Sequence, residues 1–131
     1  LGGNTASGYY SRTGEMRGTY NYNGTLVSAD LENGKAALII QDDQKRKTSL
    51  VLLDQSVSSP KVISIDSSAE LVRVFDGDAI VMSPGNITSY AFSGDAIATV
   101  KLEGAYTSFL KQDGYLFLLG YDQIDRVDFK E

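Results

Sequence analysis

The stretch DGDAIVM at residues 76–82 returns as DGYLFLL at residues 113–119, thirty-seven positions later. Each copy opens with an Asp-Gly pair, which is typical of a tight hairpin turn, and continues as a run of apolar residues. The match extends beyond the run, because apolar residues recur at the same spacing in both copies: Ile87, Tyr90 and Phe92, then Ile124, Val127 and Phe129. The sequence therefore repeats one structural unit, and short apolar runs between turn residues predict that the unit is built of β-strands.

A third and weaker copy lies upstream, where Asn33-Gly34 precedes the run AALII at residues 36–40. Its following hairpin loop, residues 42–47, is longer. A similar apolar strand precedes the turn of every copy, at residues 25–29, 71–75 and 107–110, and a further run follows the first two copies, at residues 62–65 and 97–102. The pattern predicts a single all-β domain over residues 1–131, with antiparallel units at about 24–66, 70–105 and 106–131.

Four antiparallel strands in about 40 residues are the size and content of a β-propeller blade. The consecutive apolar residues of each second strand also fit, because an inner blade strand is covered on both faces. We expect about three propeller-like blades, with a β-sandwich or barrel as the alternative. Propellers need about four to eight blades, so the chain is expected to be part of a longer propeller or to close a ring as a homodimer.

The N-terminal segment at residues 9–22 is rich in tyrosine and offers a further strand. We expect it to form the outer strand and hairpin of an earlier blade. The alternative is that it supplies the strand that the last unit lacks, since propellers often join their two ends in this way.

Charge and composition exclude several classes of function. The net charge of −5 and the isoelectric point near 4.6 argue against nucleic-acid and anionic-membrane partners. The sequence has no cysteine and no histidine, which excludes disulfides, thiolate nucleophiles and histidine-based catalysis. No apolar run reaches the roughly 20 residues of a membrane-spanning helix, and no motif indicates a metal site or a cofactor.

Residues 74–81 (VFDGDAIV), 90–94 (YAFSG) and 120–129 (GYDQIDRVDF) resemble an uncharacterised family of bacterial extracytoplasmic β-propellers related to quinoprotein-like and WD40-like domains. The resemblance covers about residues 25 to 129. It implies a propeller architecture, an extracytoplasmic location and an N-terminal membrane anchor removed from this sequence, and it implies no established activity. The chain lacks the Trp and His of true WD40 repeats and the tryptophan docking motif of quinoproteins.

Two kinds of side chain are candidates for binding. Tyrosines 9, 10, 20 and 22 would present flat faces to a sugar or a peptide, and we name Tyr9, Tyr10, Tyr20 and Tyr22 as the binding candidates. Aspartates cluster at Asp42-Asp43, at Asp76 and Asp78, and at Asp122, Asp125 and Asp128. Asp before Gly shapes a turn, although paired carboxylates also serve calcium binding and glycoside hydrolysis.

The sequence thus predicts a non-enzymatic binding or scaffold module whose ligand is a protein or a polysaccharide. The alternatives are a part of a carboxylate-based enzyme such as a glycosidase, and a structural spacer. We assign no catalytic residue.

Overall fold

A computed structural model describes residues 4–9, 16–22, 24–42, 47–54 and 60–128, with side chains from residue 24 onward. Its regular elements are thirteen β-strands: β1 (Asn4–Tyr9), β2 (Met16–Tyr22), β3 (Thr25–Glu32), β4 (Lys35–Asp42), β5 (Lys47–Asp54), β6 (Lys61–Ile65), β7 (Leu71–Phe75), β8 (Asp78–Ser83), β9 (Asn86–Ala91), β10 (Ala96–Lys101), β11 (Tyr106–Gln112), β12 (Tyr115–Gly120) and β13 (Ile124–Val127). The all-β prediction is confirmed, and every strand pairing among the described residues is antiparallel.

Three sheets follow one another along the chain. Sheet I contains β3 to β6 and sheet II contains β7 to β10, each with four strands in chain order. Sheet III contains β11 to β13. The sheets span residues 25–65, 71–101 and 106–127, within the three units that the repeat predicts.

The first hairpin of each sheet turns on the residue pair that the sequence singles out. Both central residues of such a two-residue turn need positive φ, which Asn or Asp followed by Gly adopts most easily. The observed φ angles are 52° to 53° at the first position and 78° to 83° at the second: Asn33-Gly34, Asp76-Gly77 and Asp113-Gly114.

The strand register repeats together with the sequence. In sheet II, Phe75 pairs with Asp78 and Met82 pairs with Ile87. Shifted by the thirty-seven residues of the repeat, these become the pairs Gln112–Tyr115 and Leu119–Ile124 of sheet III. The shift reproduces every pair of β7 with β8 and every pair of β12 with β13, so sheets II and III are two copies of one structure.

The sheets stack face to face in chain order, with one apolar cluster at each junction. The cluster between sheets I and II includes Ile39, Leu50, Val72 and Val81, and Ile63 of β6 packs against it. We call the face that a sheet turns toward the next sheet its forward face, and the opposite one its rear face. The forward face of sheet II and the rear face of sheet III form the second cluster, which includes Ile80, Met82, Ile87, Phe109, Leu116 and Leu118.

The burial of the second strand in each sheet shows which of the sheet's two faces are covered. All four residues at positions 79–82 of β8 are buried, because sheet II is covered on both faces. The same holds for residues 37–40 of β4, whose Leu38 and Ile40 form a third cluster with Val51 on the rear face of sheet I. In β12 only Leu116 and Leu118 are buried, so sheet III is closed on its rear face alone.

Polar groups join the first strands of the three sheets. Asp30 of β3 accepts hydrogen bonds from the backbone N–H of Val74 at 2.8 Å and from the ammonium group of Lys111 at 2.6 Å. Lys111 of β11 also donates to the carbonyl oxygen of Val74 at 2.7 Å and lies 3.4 Å from Glu32. One cation thus contacts all three sheets at the edge of the stack formed by the first strands β3, β7 and β11, which we call the inner edge.

The described part of the N-terminal segment pairs with itself. Strands β1 and β2 form a two-stranded antiparallel sheet of their own, and the described part of sheet III holds three strands. The described strands thus form a hairpin, while its place in an earlier blade stays a prediction. No described helix is long and apolar enough to span a membrane.

Candidate functional site

A cleft lies between sheets II and III, at the end of the stack that carries the Asp-Gly turns. Its volume is about 160 Å³. Strands β8 and β9 form one wall and strands β12 and β13 form the other, and the lining includes Phe75, Asp76, Asp78, Ser89, Tyr115 and Asp128. Both of the adjacent hairpins, which are built alike, contribute residues to the cleft.

The chemistry of this cleft combines carboxylates with apolar and aromatic surface. Asp76 has φ of 53° within its turn, so its first role is the geometry of the hairpin, as the sequence predicts. Asp78 begins β8 and Asp128 follows β13. A small cleft of this kind can hold a hydroxyl-rich or cationic group. Among the described residues, no cluster of three or more acidic side chains is arranged to hold a metal ion.

The forward face of sheet III is the second candidate site. It presents Leu110, Tyr115, Phe117, Leu119 and Ile124, of which Leu110 and Tyr115 are 46% exposed and Ile124 is 66% exposed. The residues one repeat earlier, Ile80, Met82 and Ile87, are at most 1% exposed because sheet III covers them. Of their repeat equivalents in sheet III, Ile124 is open to solvent, and Phe117 and Leu119 are partly buried. Leu110 and Tyr115 correspond to Arg73 and Asp78, which are partly exposed in sheet II as well.

The forward face of sheet III carries little charge. Of the residues on its strands that point forward, Arg126 is charged, and its guanidinium group lies 4.8 Å from the centroid of the Tyr115 ring and 3.2 Å from Asp128. A large exposed apolar surface with a polar rim is typical of a protein-interaction site.

A small polar network connects the start of β11 with β13 in sheet III. The Tyr106 hydroxyl donates a hydrogen bond to Asp125 at 2.6 Å, and Gln123 donates to the same carboxylate at 2.7 Å. The bond from Tyr106 and then that from Gln123 lower the pKa of Asp125, and the bond to Asp125 raises the pKa of Tyr106. These groups brace the turn before β13, since the backbone N–H of Gly120 also donates to the Gln123 carbonyl at 2.8 Å.

The tyrosines that the sequence singles out lie elsewhere. Tyr9 ends β1, while Tyr20 and Tyr22 lie in β2, and the structure describes only the backbone of these strands. Tyr10 lies outside the described residues. Their assignment as binding residues stays a prediction. Of the aspartate clusters, Asp43 lies outside the described residues, and Asp125 is held by Tyr106 and Gln123.

Sequence reasoning missed the forward face of sheet III and the cation at the inner edge. A signal for the forward face was present, because Phe117, Leu119 and Ile124 match buried residues of the preceding copy. Lys111 carries no such signal. Its position opposite Asp30 depends on how three sheets converge, and 81 residues separate the two side chains in sequence.

No protein-family model and no curated protein sequence matches the chain. A solved structure is similar in fold: the crystal structure, at 1.35 Å resolution, of a protein of unknown function from Bacteroides caccae, with a TM-score of 0.54 and 16% sequence identity. The similarity covers 92% of this chain and 53% of that protein, so the chain spans about half the length of its structural relative.

Proposed function

We propose that this chain is a non-enzymatic protein-binding scaffold, and that its binding surface is the forward face of sheet III. The observation that carries the proposal is the contrast between Ile87, which is fully buried, and its repeat equivalent Ile124, which is 66% exposed. The stack buries this position wherever a further sheet follows, and sheet III offers the same surface to a partner.

The architecture that suits this role is part of a β-propeller, with sheets I, II and III as successive blades. Two observations support the interpretation: the sheets pack against one another in chain order, and residues of their first strands meet at Lys111. The structural relative is about twice as long as the region that this chain matches, which leaves room for further blades in a fold of this kind. The extracytoplasmic location implied by the resemblance belongs to the same proposal.

The partner that fits the forward face presents a surface similar to the rear face of sheet III. In that rear face, Phe109, Leu116 and Leu118 stand in alternation and contact the forward face of sheet II. Each large apolar side chain that becomes fully buried contributes about 1.5–3 kcal/mol before the costs of association. A partner with an apolar sheet face, including a second copy of this chain, is therefore the expected ligand.

Charge substitutions test this proposal, because a lysine on the face opposes burial without changing the core. We expect Leu110→Lys and Ile124→Lys each to abolish the binding of partner proteins and any self-association of the chain. Val62→Lys is the matched control, since Val62 is 51% exposed on β6, away from the face. The measurements are sedimentation equilibrium of the purified chain and quantitative mass spectrometry of the proteins that each immobilised variant retains.

The result that supports the proposal is a complex retained by the wild type and by Val62→Lys, and lost with both face variants. If all four chains are monomeric and retain the same proteins in the same amounts, the forward face is not the binding surface and the proposal is wrong.

A second candidate function is polysaccharide binding at the cleft, which the combination of Phe75 and Tyr115 with three carboxylates favours. Aromatic rings and carboxylates together suit the apolar faces and hydroxyl groups of a sugar. Titration of the chain with oligosaccharides, followed by NMR shifts at Tyr115 and Asp128, tests it. Shifts that disappear in Asp128→Ala support it, and release of reducing sugar would indicate the glycosidase alternative instead.

A further inference from the structure

The charge at one position of the repeat is inverted between sheets I and II. Lys35 directly follows the turn of the first hairpin in sheet I, and Asp78 directly follows the same turn in sheet II. The ammonium group of Lys35 lies 3.8 Å from Asp54 and 5.9 Å from the centroid of the Phe92 ring. At the junction of sheets I and II the chain thus supplies its own cation to a carboxylate and an aromatic ring.

The cleft between sheets II and III is acidic. Asp76, Asp78 and Asp128 line it, and no lysine or arginine is among the described residues that do. Arg126 lies 3.2 Å from Asp128, so Asp76 and Asp78 give the cleft its negative charge. Both also interact with other groups of the chain. Because a carboxylate accepts about four hydrogen bonds, such interactions are compatible with an added ligand.

A buried hydroxyl group faces the same cleft. Ser89 of β9 pairs with Ile80 on the forward face of sheet II, is 2% exposed and lines the cleft. Among the residues that the structure describes, none forms a hydrogen bond with the Ser89 hydroxyl group. In sheet I, Ala37 stands in the place of Ile80, and its partner is the buried apolar residue Leu52. Since a buried polar group without a partner is destabilising, the cleft favours a ligand that hydrogen-bonds to Ser89.

We propose that the cleft between sheets II and III binds the primary ammonium group of a small organic cation. Such a group carries three hydrogen-bond donors, which suit the carboxylates of Asp76 and Asp78 and the hydroxyl oxygen of Ser89. The rings of Phe75 and Tyr115 offer aromatic surface to the cation and to the carbon atoms next to it. A cavity of about 150 Å³ holds a molecule of the size of benzene, so a cleft of about 160 Å³ admits such a cation.

The lining favours an organic cation over a metal ion. Calcium takes about six to eight oxygen ligands, whereas no group of three or more acidic side chains in the described part of the chain is arranged to hold a metal. An aliphatic amine and a protonated amino sugar both carry the proposed group. The inference does not depend on the forward face of sheet III. It also differs from the sugar-binding function proposed for the same cleft, because it requires a positive charge on the ligand and no sugar hydroxyl groups.

Two matched pairs of ligands test the proposal by NMR titration of the isotope-labelled chain in slightly acidic buffer of low salt. Butylammonium and butanol share a carbon chain and differ in charge, and glucosamine and glucose differ in charge on a shared sugar ring. We expect butylammonium to bind at least about threefold more tightly than butanol, as one ion pair provides, with the largest amide shifts at Asp78, Ser89 and Tyr115. Tighter binding of glucosamine than of butylammonium supports an amino sugar as the ligand, and the reverse order supports an aliphatic amine.

Two variants place in sheet II the residues that sheet I carries at the same positions. Asp78→Lys supplies an internal cation, and Ser89→Leu fills the cleft and removes its hydroxyl group. We expect each to weaken the binding of butylammonium by at least about fivefold. Asp122→Lys is the matched control, because it changes the net charge equally at an exposed aspartate outside the cleft lining, and it keeps the wild-type affinity. Circular dichroism shows which variants are folded.

The outcomes separate this inference from the two proposed functions. It is overturned if butanol binds as tightly as butylammonium, if neither amine shifts the cleft amides at high millimolar concentration, or if the folded cleft variants keep the wild-type affinity. Glucose that binds as tightly as glucosamine also overturns it and leaves the sugar-binding function standing. Leu110→Lys, which opposes binding at the forward face, leaves the affinity for butylammonium unchanged. A loss of affinity in that variant would place the amine at the forward face and overturn the inference.

Discussion

Replacement of Lys111 by methionine removes a cation that contacts all three sheets, and it keeps the length and most of the apolar surface of the side chain. The change leaves Asp30 and Glu32 facing the position of a lost ammonium group, although Asp30 still accepts from the Val74 backbone. We therefore expect Lys111→Met to lower the free energy of unfolding, and to weaken the junction between the sheets more than the strands within them.

The magnitude follows from the burial of the three groups. An exposed ion pair contributes about 0.2–1 kcal/mol, and removal of one partner of a fully buried pair costs about 3–5 kcal/mol. The side chains of Lys111, Asp30 and Glu32 are 25%, 22% and 30% exposed, so the cost lies between these limits, at about 2 kcal/mol. For a domain of this length the melting temperature falls by about 6–10 °C.

Circular dichroism measures this effect in thermal melts and urea titrations, with Lys101→Met as the control on an exposed position of β10. A loss of stability for Lys111→Met that exceeds that of the control by at least about 1 kcal/mol supports the convergence of the sheets on this side chain. Equal stability of the two variants would refute it, because Lys111 would then be an ordinary surface residue.

Three further predictions concern single positions. Gly24→Ala is expected to destabilise the chain by at least about 2 kcal/mol in urea titration, since φ is 121° there and an added Cβ would lie 2.2 Å from a carbonyl oxygen of β4. Ile87→Ala is expected to cost about 2–5 kcal/mol and its repeat equivalent Ile124→Ala less than about 0.5 kcal/mol, so equal costs would contradict the open face. Tyr106→Phe is expected to raise the pKa of Asp125 in an NMR titration, because the hydrogen bond from the Tyr106 hydroxyl lowers that pKa. The contribution of this bond to stability is present above the ordinary carboxyl pKa and is lost as the pH falls through the lowered value. An unchanged pKa of Asp125 in the variant would disprove the bond.

Local sequence signals predicted much of the fold. The Asn-Gly and Asp-Gly pairs specify turns with two positive φ angles, and the spacing of thirty-seven residues reproduces the strand register of sheets II and III. Both features act over a few residues and leave a direct trace in the sequence. For residues 9–22 the sequence left two arrangements open, because a polar tyrosine-rich segment contains no signal that distinguishes a hairpin from a strand added to a distant sheet. The described strands β1 and β2 pair as a hairpin.

The candidate sites depend on packing between sheets, and such packing is harder to predict from the sequence than a turn or a repeat. Tyr115 belongs to the run that defines the repeat, yet nothing in that run shows that one face is covered and the other is open. The cleft arises where two hairpins thirty-seven residues apart lie side by side, and its residues come from five strands and from the turns between them. Only the comparison of Ile124 with Ile87 was accessible beforehand, and it needed the stacking order to become informative.

The rate of thiol labelling at the repeat-equivalent positions 87 and 124 tests the account most directly, because the sequence has no cysteine. We expect the Ile124→Cys variant to react with a disulfide reagent nearly as fast as the unfolded chain, and the Ile87→Cys variant to react at least about 100-fold more slowly, since its thiol is reached only by local unfolding. Equal rates at the two positions, whether both fast or both slow, would contradict an ordered stack in which the forward face of sheet II is covered and the forward face of sheet III is open to solvent.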